Sequence, residues 1–61
     1  MNKTLQEKIE QGFAVSKRIV DDTQKLLDAA IKDGNWYRAA ELDGYISGMN
    51  QIVIVFEQAL K

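Results

Sequence analysis

One break governs what this chain can fold into. Lys32-Asp33-Gly34-Asn35-Trp36 is the only punctuation between two stretches whose apolar residues recur at helical spacing, and the 61 residues include no proline. Lys32 suits the end of a helix, where the carbonyl ends of the peptide dipoles attract a cation. Gly34 can take the left-handed conformation that stops a helix, and Asn35 is a favoured N-cap for the next one. So short a connection makes the two helices antiparallel neighbours. One continuous helix is the competing reading, and it would expose both apolar faces to a long coiled coil.

The first stretch places Leu5, Ile9, Phe13, Val20, Leu27 and Ile31, with Ile19, Leu26 and Ala30 beside them, inside an arc of about 150° at ~100° per residue. Thr4 followed by Glu7 has the form of a capping box and makes Thr4 the expected N-cap. The far side carries Lys3, Glu7, Glu10, Lys17, Asp21, Lys25, Asp28 and Lys32. Opposite charges at i,i+4, such as Lys17–Asp21 and Asp28–Lys32, suit a solvated face. Gly12, Ser16 and Thr23 interrupt the apolar arc. They fit either a close approach of a second helix, with the hydroxyls bonding back one turn, or a polar layer that sets register in a bundle.

The second stretch is more apolar. Its deepest stripe is expected to be Leu42, Tyr45, Met49, Ile52, Val53, Phe56 and Leu60, with Ala39, Ile46 and Ala59 alongside. Tyr37, Gly44, Gly48 and Val55 form a lateral face. The apolar arc approaches about 200°, more than one neighbouring helix covers. Gly44 and Gly48 lie one turn apart, and each costs about 1 kcal/mol relative to alanine inside a helix. That cost points to close helix packing at these two positions. The β-branched run Ile52-Val53-Ile54-Val55-Phe56 would read as a buried strand in isolation. No turn separates it from the helical spacing upstream, however, and a lone strand would have nothing in this chain to pair with.

Size presses toward the same conclusion. A chain this short buries only about 60% of its unfolded surface, and small domains add disulfides, metals or oligomerisation. With no Cys and no His, oligomerisation is what remains. The expected architecture is all-α: residues 1–61 form one domain, an antiparallel hairpin of helices at about 4–33 and 36–60. It associates with itself into a dimeric four-helix bundle or a higher oligomer.

Catalysis is not expected. The commonest general base, nucleophile and zinc ligands are absent, the hydroxyls have no base beside them, and no phosphate, dinucleotide or calcium motif occurs. No cofactor or metal is implied. Eight basic and nine acidic residues give a net charge of −1. Asp21, Asp22 and Asp28 interleave with Lys17, Arg18, Lys25 and Lys32, which makes nucleic acid an unlikely partner. No run reaches the ~18 apolar residues of a membrane span. Met1 to Glu7 is polar and lacks the core of a signal peptide, so a cytoplasmic setting is expected. The residues most suited to a partner or ligand are Trp36, Tyr37 and Arg38, since these types are enriched in binding hot spots. The function expected is protein–protein interaction by a small oligomer. A helical oligomer that binds a nucleotide-like ligand or nucleic acid is the alternative.

The segment Asn35-Trp36-Tyr37-Arg38-Ala39-Ala40-Glu41-Leu42-Asp43-Gly44-Tyr45-Ile46-Ser47-Gly48-Met49 resembles the second helix of small helical-hairpin proteins encoded by bacteriophages. There an RAAEL-type start leads into a G-Y-I-x-G-type segment. The resemblance covers about a quarter of the chain. It implies a phage accessory factor that modulates a host or viral protein, with no catalytic residues to carry over.

Overall fold

The computed structural model describes residues 3–61, with Lys3 described by its backbone only. Met1 and Asn2 lie outside the described residues. Two helices, α1 (Lys3–Lys32) and α2 (Trp36–Ala59), pack against each other in a rod of 48 × 14 × 13 Å. Helix α1 already contains Thr4, so the expected cap is a helical residue and the boundary falls earlier in the chain. The run from Ile52 to Phe56 is helical throughout. Its β-branched residues lose side-chain freedom in a helix, but burial of Val53 and Phe56 against α1 outweighs that small cost.

The turn forms as its residues dictate. Gly34 takes φ 74°, a conformation that costs other residues about 1–2 kcal/mol. Its amide donates to the Ile31 carbonyl at 3.0 Å, and the Asn35 amide donates to the Ala30 carbonyl at 2.9 Å. Both bonds satisfy carbonyls that a helix end leaves open. The Asn35 side chain then accepts from the Arg38 amide at 3.2 Å and starts α2. One three-residue connection thus ends one helix and caps the next.

The core is small and lies toward the loop. Leu27, Ala30, Ala39, Leu42 and Ile46 are buried together, with Val20 packed against them. Farther from the loop, Ile9, Phe13, Met49, Val53, Phe56 and Leu60 are only half-buried. Gly12 shows why the helices approach there: a Cβ at that position would sit 2.7 Å from Phe56 Cζ. The absent side chain makes room for the ring. Thr23 is buried, and its hydroxyl donates to the Ile19 carbonyl one turn back at 2.7 Å. Its polarity is thereby satisfied within its own helix. Ser16 is buried on the same face. Among the described residues the i,i+4 side-chain hydrogen bonds join Gln6 to Glu10 and Gln24 to Asp28, rather than the oppositely charged pairs.

A candidate interaction surface

The hairpin has two broad sides, and their chemistry differs. Lys17, Val20 and Asp21 of α1 line a shallow depression with Asn50 and Val53 of α2. These residues mark one broad side, which is polar. On it the Lys17 ammonium lies 5.3 Å from the centre of the Phe13 ring, within reach of a cation–π attraction.

Helical spacing then places the rest. At ~100° per residue, Val15 and Leu26 lie roughly 150° around α1 from Lys17 and Asp21. Tyr45, Gly48 and Ile52 lie roughly 150° around α2 from Asn50. Both sets therefore share the opposite broad side. That side is open and mainly apolar, with Lys8, Asp22 and Glu41 exposed among its apolar residues. Val15 is 52% exposed, Leu26 53%, Tyr45 52%, Ile52 45% and Val55 64%. A groove of about 330 Å³ lined by Gly48, Gln51, Ile52, Val55 and Phe56 runs along it.

The expected interface and core stripe divides between two environments. Leu42 is buried, and Met49, Val53, Phe56 and Leu60 are half-buried against α1. Tyr45 and Ile52 turn away from α1 onto the open apolar side, and Ala39 and Ile46 take the buried places. The reason is angular. The inward line of α2 follows positions 39, 42, 46, 49, 53, 56 and 60, a seven-residue repeat centred about 80° from Tyr45 and Ile52.

Gly44 and Gly48 have nothing within 4 Å of where a Cβ would stand. Neither glycine is used in packing the hairpin. Gly12 is the glycine that serves that purpose.

Trp36 and Tyr37 are 67% and 81% exposed, and Arg38 is exposed beside them. Three consecutive helical residues point about 100° apart, so they do not converge on one ligand. Arg38 stands seven residues before Tyr45 in the row of Tyr45 and Ile52, and Tyr37 follows the row of Gly48 and Val55.

No family model, curated protein or solved structure matches this chain. No described helix is long and apolar enough to cross a membrane.

Val15 is a surface residue that periodicity passes over, and Leu26, within the expected apolar arc, is 53% exposed. Val15 stands outside the main arc of α1, and Leu26 sits at its margin. The signal available was their row: Lys8, Val15, Asp22, Leu26 and Asp33 follow one line along the helix at spacings of seven and four.

Proposed function

We propose that this protein is a non-catalytic, self-associating helical hairpin that acts through protein–protein contact in the cytoplasm. The observation that carries the reading is the open apolar side. Five large apolar residues on two helices stay exposed on it, beside a groove between turns of α2. Exposed apolar surface of that extent marks an interaction site. In a chain with so small a core, covering it also supplies stability that the hairpin lacks alone.

Surface area points the same way. A folded monomer of 6.9 kDa exposes roughly 4,000 Å² by the usual scaling. This chain exposes 4738 Å². The difference approaches the ~800 Å² that each partner buries in a standard interface. The simplest assembly is a dimeric four-helix bundle. Trp36, on the outer face of α2 at the hairpin tip, then remains exposed for a further protein. A role as a phage accessory factor is consistent with the resemblance of residues 35–49.

Sedimentation equilibrium at micromolar concentration, with circular dichroism on the same sample, tests the reading. The expected result is a helical species of at least twice the chain mass. A stably helical 6.9 kDa monomer overturns it.

A further inference from the structure

We propose that the open apolar side is covered by a second copy of this chain, turned antiparallel about a twofold axis that crosses Gly48. The proposal rests on the self-association reading and adds the partner, the polarity and the register.

The open side is self-complementary about one level of the rod. Val15 and Leu26 are equidistant along α1 from Val20–Asp21. Tyr45 and Ile52 are equidistant along α2 from Gly48–Met49. These two midpoints stand level to within about one residue, because Gly12 lies against Phe56 and the midpoints are nearly equal distances along α1 and α2 from that contact. A twofold axis through that level, perpendicular to the helices, lays α1 on α1 and α2 on α2. Val15 then meets Leu26 of the other copy, and Tyr45 meets Ile52, each contact occurring twice. Closed two-fold symmetry produces this reciprocity.

Gly48 falls on the axis. Its open position, with nothing within 4 Å of an ideal Cβ, lets the two α2 backbones cross closely. The groove formed with Gln51, Ile52, Val55 and Phe56 accepts the other copy's side chains on either side of the crossing.

The charges decide polarity. Lys8 and Asp33 stand in the row of Val15 and Leu26 and are equidistant from the same midpoint. The Asp33 amide still bonds the Ala29 carbonyl at 3.0 Å, which keeps it in line with the helix. In the antiparallel arrangement Lys8 of each copy comes level with Asp33 of the other. Turning the hairpins loop beside loop would instead lay α1 on α2 and part Lys8 from Asp33 of the other copy by the rise of 25 helical residues, roughly 37 Å. Opposite charges at an interface rim set register and orientation in this manner.

The chain has no native cysteine, so disulfide trapping reads the arrangement directly. The double variant Val15→Cys/Leu26→Cys is expected to form a covalent dimer on mild oxidation. Eleven residues along one helix separate the two positions by about 16 Å, too far for a bond within one chain. Lys17→Cys on the polar side is expected to give no covalent dimer. Lys8→Asp should weaken dimerisation roughly tenfold through its two symmetric pairs, and adding Asp33→Lys should restore it.

If sedimentation shows a dimer but Val15→Cys/Leu26→Cys does not cross-link, the antiparallel register is wrong and self-association stands. Cross-linking of Val15→Cys/Val55→Cys in its place would identify the loop-beside-loop arrangement. A monomer at all concentrations overturns both the register and the reading it rests on.

Discussion

The two broad sides of this hairpin are built from the same two helices, yet only one is finished. On the polar side Lys17, Asp21 and Asn50 line the junction over Val20 and Val53, leaving a shallow depression that water can fill. On the apolar side Val15, Leu26, Tyr45, Ile52 and Val55 stay about half-exposed or more. A lone hairpin gains nothing from such a surface and gives up transfer free energy on the order of 25 cal/mol per Å² left wet. The contrast shows how a two-helix chain divides its apolar residues. One stripe on each helix closes the hairpin, and a second stripe, rotated toward one side, is left for another molecule.

Substitutions can test that contrast. Leu42 belongs to neither side, since it is buried between the helices. Leu42→Ala should cost about 2–5 kcal/mol and abolish cooperative thermal unfolding followed by circular dichroism. It sets the scale for loss of the hairpin itself.

Ile52→Asp should separate the two accounts of the apolar side. In an isolated hairpin a half-exposed position tolerates the charge at a cost below about 1 kcal/mol. In an assembly that buries Ile52, the charge costs several kcal/mol and shifts the sedimentation profile to a monomer.

Gly48→Ala should change sign with the state of assembly. It adds about 1 kcal/mol of helix propensity to a free hairpin, because no neighbour stands within 4 Å of the new methyl group. Across a close helix crossing it should lower the dimer's stability instead, read as a concentration-dependent loss of melting temperature. Lys17→Ser on the polar side should change stability by less than ~0.5 kcal/mol in either state, since only an exposed contact with the Phe13 ring is removed.

Much of the fold was legible from local rules. Gly34 and Asn35 announced the turn because only particular residues suit a left-handed position and an N-cap. The helical period announced both helices, despite the β-branched run in α2. Thr23 bonding back to Ile19, and Gly12 admitting a second helix, match one of the two readings that residue type and position allowed. The first residues of α1 were less legible, because a capping-box pattern at Thr4 and Glu7 also occurs within a first turn. The candidate surface was legible only in part. Excess apolarity in α2 is visible in the sequence, but not how its stripe divides between the part packed on α1 and Tyr45 and Ile52, which stay half-exposed.

By itself the sequence determined that this chain makes two helices, where they break, and that α2 carries more apolar surface than one neighbour covers. Those properties depend on residue type and spacing along one element. Only the tertiary structure decided which residues the hairpin uses. A helix of broad apolar character can present several faces, and its inward line is chosen by the packing partner. That choice buries Ala39 and Ile46, leaves Gly44 and Gly48 without neighbours, and gathers Val15, Leu26, Tyr45 and Ile52 onto one open side.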